Sequence, residues 1–331
     1  MDDLTRVRDL YGEPGPDPAL KARVGALIEA EARRRLRVMP WTAALVAAAV
    51  AAGVVVALPG GNLASGSEGR SILLAAAVRA ESGDARAGAY WRVRKLVRER
   101  HPEMLGGGAN RYWMIEPRVS EQWVSRGGRV WSGTVTLGAE PATRTDEAAW
   151  RRDGSPGEWP GLSTAPGRST LTDVPGGVAF SMAGQTMTFA QIRALPADPV
   201  ALRENVAKAV RAASGPDQGV VADALSGLLW SKPSPPEVRA AAYRALADLP
   251  EVEYLGRRTD ESGRTGAAFS FELGVPAARR TLIIDTGSSQ VLSSTTDAPG
   301  VQHDQVELVL EAGWTDERPT APEAALPTGT P

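Results

Sequence analysis

The chain has 331 residues, of which 43% are hydrophobic, and a formal net charge of −2. That balance permits a sizeable core and supplies no general attraction for nucleic acid. The lack of cysteine excludes disulfides, thiolate zinc sites, a catalytic thiol and lipidation at Cys. His101 and His303 are the only histidines, so no multi-His metal centre is expected and no cofactor is implied.

Residues 1–38 read as two short amphipathic helices. Leu4, Val7, Leu10 and Tyr11 form one apolar face. Asp17-Pro18 reads as a cap with proline at the first helical position, followed by Leu20, Val24, Leu27 and Ile28 at helical spacing. Such a pair suits a cytoplasmic regulator as partner, or no partner at all.

Residues 39–58 contain no charged side chain. A helix of about 20 residues spans about 30 Å, the thickness of a bilayer's hydrocarbon core. Arg33, Arg34, Arg35 and Arg37 precede this stretch, and Arg70 is the first basic residue after it. The positive-inside rule then predicts a single-pass signal-anchor with its N-terminus cytoplasmic and its C-terminal part external, at the cell membrane. The rival is a cleaved secretion signal, whose charged region is short and whose cleavage site has small residues; here 38 residues come first, and Ala64-Ser65-Gly66 is a poor site.

Residues 59–70 read as a Gly/Ser tether. Ser71 then reads as the cap of an Ala/Leu-rich helix ending near Ser82. In 89–99, Trp91, Val93 and Val97 alternate with Arg92, Arg94 and Arg98, the pattern of a half-exposed strand. Strands are predicted at 111–116, 120–125 and 130–137, and a short helix at 145–152 with Thr145 as cap. Residues 154–178 read as a long surface loop, and 180–182 with 187–189 as a small hairpin. Helices follow at 198–213, 220–230 and 236–249. Strands are predicted at 252–258, 266–273, 280–285, 290–295 and 305–311. The last residues, 316–331, are Pro/Thr-rich and expected to be disordered.

The predicted layout is therefore a cytoplasmic helical segment (1–38), a transmembrane helix (39–58), a tether (59–70), an external α+β domain (71–315) and a disordered tail (316–331). In the external domain a curved antiparallel sheet is interrupted by a helical insert, with helices on its concave face.

Three sets of residues invite a chemical reading. Leu282-Ile283-Ile284-Asp285-Thr286-Gly287-Ser288 matches the active-site loop of aspartic proteases. That chemistry needs two aspartates sharing a proton. One loop is present, so a homodimer would have to supply the second. The alternative is a β-hairpin in which Asp285 precedes an ordinary turn. Trp91, Trp113, Trp123 and Trp131 serve either as core or as the lining of a pocket for an apolar or cell-envelope ligand. Arg92, Arg94, Arg98 and Arg100 form a basic face, solvated or suited to an anionic group. No phosphate loop, nucleophile elbow or zinc signature is present, so no catalytic residue is assigned and the domain reads as non-enzymatic.

Several segments together resemble a family of actinobacterial single-pass membrane proteins with a short cytoplasmic N-terminus and an external Trp-rich domain. They are Met1-Asp2-Asp3-Leu4-Thr5-Arg6-Val7-Arg8, the apolar span, the segment from Asp146 to Trp159, Ala194-Leu195-Pro196-Ala197-Asp198-Pro199, and Gly313-Trp314-Thr315-Asp316. The resemblance implies a layout and no activity. The strand–helix–strand order is more distantly similar to the half-barrels of lipoprotein carriers and envelope-stress sensors. That similarity implies a ligand- or partner-binding domain, with a sensor or regulator acting across the membrane, or a lipid carrier held at it.

Overall fold

The computed structural model describes residues 63–82, 88–214, 218–274, 278–297 and 305–324. The expected cytoplasmic segment with Arg33, Arg34, Arg35 and Arg37, the apolar span and the first tether residues lie outside them. Among the described residues no helix is long and apolar enough to cross a membrane.

The fold is mixed α+β. Its centre is a 10-stranded antiparallel sheet. The N-terminal half supplies β1 (Tyr90–Arg100), β2 (Met114–Ser125), β3 (Val130–Thr136), the two-residue β4 (Glu140–Pro141) and β7 (Thr170–Val174). The C-terminal half supplies β10 (Glu253–Thr259), β11 (Thr265–Glu272), β12 (Arg279–Asp285), β13 (Gln290–Asp297) and β14 (Gln305–Thr315). Two small hairpins, β5 (Glu158–Trp159) with β6 (Leu162–Ser163) and β8 (Val178–Met182) with β9 (Gln185–Thr188), stand apart. The halves meet where the last strand pairs with the first, with Trp91 opposite Trp314 and Val97 opposite Glu307. A bulge at Arg94/Lys95 interrupts this ladder, and such bulges bend a strand and raise its twist.

Helices cover one face. These are α1 (Leu63–Ser82), α4 (Pro199–Ser214), α5 (Gln218–Trp230) and α6 (Pro236–Ala247); α2 (Arg144–Arg152) and α3 (Phe189–Arg193) lie elsewhere in the order. Leu73, Ala76, Ala77 and Ala80 recur at helical spacing on α1 and are buried in one cluster with Ala241, Ala242 and Ala245 of α6. Alanine on both helices lets their axes approach closely. Beneath them, Trp91, Val93, Phe269, Phe271, Leu282 and Ile284 form the sheet's side of the core.

A separate small cluster joins Tyr112, Met114, Ala139, Ala149 and Leu162, with Trp150 and Trp159 against it. The Asp146–Trp159 segment belongs to it: the Trp150 indole donates to the Pro156 carbonyl at 3.0 Å. The Tyr112 hydroxyl donates to Asp153 at 3.0 Å, and burial together with that carboxylate pushes the phenol up to about 12.

Several local expectations need correction. The tether is helical from Leu63, and Ser71 is interior to α1, its hydroxyl donating to the Ser67 carbonyl at 2.8 Å. Gly69 packs so closely on β10 that an added Cβ would lie 2.5 Å from Tyr254 Cβ. Tertiary contact thus outweighs the roughly 1 kcal/mol helix penalty of a glycine. The strands expected at 111–116 and 120–125 are one strand. Pro117 is tolerated because its carbonyl accepts from Leu137 at 2.8 Å, so its nitrogen faces the seam where β3 pairing stops and β4 pairing begins. The cap of α2 is Thr143, which accepts from the Asp146 N–H at 3.1 Å, and Thr145 lies inside the helix. Phe189 opens α3 behind a Thr188–Gln191 capping box and is not a strand residue. The long loop contains β7, a polar edge strand whose exposed residues give no burial alternation to read.

The tail is corrected too. Residues 316–324 lie back over the helix-free face: Pro322 is buried, its carbonyl accepts from Ser169 Oγ at 2.6 Å, and a Cβ on Gly133 would meet its Cδ at 2.7 Å.

Candidate functional site

Strand alternation sorts the predicted site residues between two faces. Trp91 pairs with Val124 and faces the helices, while Arg92 pairs with Trp123, and Trp123 with Trp131, on the opposite face. Trp113 lies just before β2, its ring beneath the Arg100 guanidinium at 4.7 Å. The four tryptophans therefore do not converge, and none lines a cavity described below.

The arginine face carries a dense ionic network. Glu121, 1% exposed, lies 3.0 Å from Arg92 and 3.1 Å from Arg94, and Arg92 also reaches Glu311 and Glu317. Arg98 holds Glu140 at 2.8 Å and Glu261 at 2.7 Å. Arg92 stacks over Trp123 at 4.6 Å and Arg129 over Trp131 at 4.9 Å. The Arg94 guanidinium also donates to the Glu323 carbonyl of the C-terminal segment at 3.1 Å.

Asp285 ends β12 in a turn. Its carboxylate accepts from the Gly287 N–H at 2.9 Å and from Ser288 Oγ at 2.6 Å, and the Ser288 bond is the main reason its pKa is lowered. The carboxylate is engaged within its own hairpin.

No motif or spacing in the sequence points to a polar cavity on the helix side of the sheet. It holds about 350 Å³ between α5, the β8–β9 turn and the sheet. Lys95 of β1, Glu307 of β14 and Arg280 of β12 rise from the sheet; Asp223 and Trp230 come from α5, and Lys232 from just beyond it. Lys95 pairs with Glu307 at 2.6 Å and lies over the Trp230 ring at 5.2 Å, and Arg280 pairs with Asp223. Lys232 is the cation in excess of these two carboxylates, and it is only 8% exposed. Its ammonium folds back on the last turn of α5, where a Cβ on Gly227 would lie 2.5 Å from Nζ. Burial pushes Lys232 down to about 8; Asp223 opposes that shift, and Lys95 and Arg280 reinforce it. Trp230, 4% exposed, has a buried indole N–H with no acceptor.

A second cavity, of about 340 Å³, lies where α1 meets α6 and β10, with Leu73, Leu246, Leu249, Tyr254 and Phe269 in its wall. No cluster of metal-binding side chains occurs among the described residues.

No protein-family model matches the chain, and no curated protein matches it. Two solved structures bear a weak structural resemblance to it. One is the MucA/MucB complex of Pseudomonas aeruginosa, at 10% identity over 76% of this chain and 59% of that one, with a TM-score of 0.27. The other is a DUF1329 family protein from Desulfovibrio piger ATCC 29098, at 8% identity over 76% of this chain and 93% of that one, with a TM-score of 0.20. The chain thus spans about three fifths of the length of the MucA/MucB chain that it matches. Likeness of this degree assigns no function.

Proposed function

We propose that this chain is a non-enzymatic binding protein held at the cell membrane by residues 39–58, with its α+β domain external and residues 1–38 as its inward contact. The observation that carries the binding role is the helix–sheet cavity with a buried lysine in excess of the carboxylates in its wall. A folding core without a ligand to hold gains nothing from burying an excess charge. The membrane part of the reading rests on the uncharged stretch and the arginines before it.

Location is tested by adding one cysteine to a chain that has none. With Ser155→Cys, a membrane-impermeant maleimide is expected to label intact cells, and replacing Arg33, Arg34, Arg35 and Arg37 by Glu to reduce that labelling. Labelling seen only after lysis would reverse the topology. Deleting residues 1–38 with every phenotype intact would remove the signalling role.

A second reading, an apolar-ligand carrier, is favoured by the Leu73–Tyr254–Phe269 cavity. Native mass spectrometry of the full chain is then expected to show a bound lipid, reduced in Tyr254→Ala. An aspartic protease on Asp285 has the least support; unchanged function in Asp285→Asn ends it.

A further inference from the structure

The walls of the Lys232 cavity have an unbalanced chemistry. Two ion pairs, Lys95–Glu307 and Arg280–Asp223, neutralise each other, and Lys232 is left over. A buried charge in excess of its counter-charges costs free energy. That deficit is met by a group that brings oxygen lone pairs and one negative charge. The volume of about 350 Å³ sits at the small end of ligand sites. The remaining wall is mixed, with Ser181, Ser226 and Ser231 beside Met182, Ala183, Val220 and Ala224, which suits a compact anion.

We propose that this cavity binds a small monoanion, a carboxylate or a phosphate, whose oxygens take the ammonium of Lys232. The assignment rests on the ligand-binding reading of the domain and names the chemistry of the ligand. Lys95 and Arg280 add favourable potential, while Asp223 and Glu307 hold those two cations in place and set a limit on ligand charge. The same group could arrive free in solution or on a lipid.

The chain's lysines, Lys21, Lys95, Lys208 and Lys232, are few enough to follow singly. Reductive methylation with ¹³C-formaldehyde keeps their charge and gives each an NMR signal. In the full-length chain in detergent micelles, acetate or inorganic phosphate is expected to raise the Lys232 titration midpoint by about one unit, a tenfold preference for the protonated form. The exposed Lys208 is expected not to move. If only phosphatidic acid vesicles produce the shift, the source is a lipid headgroup. Lys232→Met is expected to abolish binding. A Lys232 signal indifferent to acetate, phosphate and phosphatidic acid overturns the proposal, as does phosphate binding that survives Lys232→Met. Should phosphatidylcholine vesicles change tryptophan fluorescence with Lys232 unmoved, the broader binding role stands and the anion assignment falls. A Lys232→Met chain that fails to fold leaves the wild-type titration to decide.

Discussion

The buried carboxylate of Glu121 accepts from the indole N–H of Trp123 at 3.1 Å, two residues along the same strand. Both side chains point to the helix-free face, so one carboxylate joins the aromatic row to Arg92 and Arg94. Glu121→Leu leaves two guanidiniums without that partner in a half-buried setting. We expect a loss of about 3–5 kcal/mol in urea unfolding, and roughly half of it for Glu121→Gln, which keeps an acceptor for Trp123. A loss below that of an ordinary surface substitution would show that the network is incidental.

The C-terminal segment contributes to the same face through Glu317, the Glu323 carbonyl and the buried Pro322. A chain ending at Thr315 is expected to keep its sheet and lose about 1 kcal/mol. Faster amide exchange in 169–174 is the accompanying signature. Unchanged exchange there would mean that the segment does not hold the β7 edge.

Gly69 separates a helix from a tether. In a flexible tether Gly69→Ala is neutral or slightly stabilising. Against Tyr254, with 2.5 Å between the added Cβ and that side chain's Cβ, the expected effect is a destabilisation of roughly 1–3 kcal/mol. A raised melting temperature would contradict the packing of α1 on β10.

Lys232 makes stability depend on alkaline pH. Its folded pKa, about 8, is below its ordinary value of 10.5, so between them the unfolded chain binds more protons and stability rises with pH. Below that window the charged form is buried at full cost. Lys232→Met is therefore expected to be more stable than the natural chain at neutral pH by about 1–3 kcal/mol, an advantage that fades as pH passes through the window. A constant difference across pH would refute a depressed Lys232.

Asp285 gives a pH dependence of the same sign at acid pH, but there the charged form is the favoured one in the fold. Its lowered pKa means that its contribution is present above the ordinary carboxylate range and lost as pH falls through the folded value. Asp285→Ala removes two turn contacts and is expected to cost about 1 kcal/mol at neutral pH, with less loss in acid.

Much of the architecture was legible because it is local. The alternation of Trp91 and Val93 with Arg92 and Arg94 depends only on the two-residue period of a strand, and the observed faces follow it. The helical insert shows in its periodicity, and the Asp285 hairpin in its turn residues. Residues 63–70 misled because glycine and serine disfavour a helix locally, and no local pattern reveals the contact with Tyr254 that offsets this. The polar β7 edge and the seated tail were hidden for the same reason: both are held by partners distant in sequence.

By itself the sequence determined the order of the longer helices and of the C-terminal strands, the sides of β1 on which tryptophan and arginine lie, and the absence of thiol chemistry. Each depends on residue type or short-range spacing alone. Only the tertiary structure decided that Trp91 and Trp123 are parted by the sheet, and that β14 returns to pair with β1. The same is true of the cavity that gathers Lys95, Asp223, Lys232, Arg280 and Glu307. Those five side chains come from β1, α5, the residues just after it, β12 and β14, and no local periodicity links them. What puts them together is the burial of apolar surface between helices and sheet, which brings distant charges into one wall and leaves the Lys232 ammonium inside it.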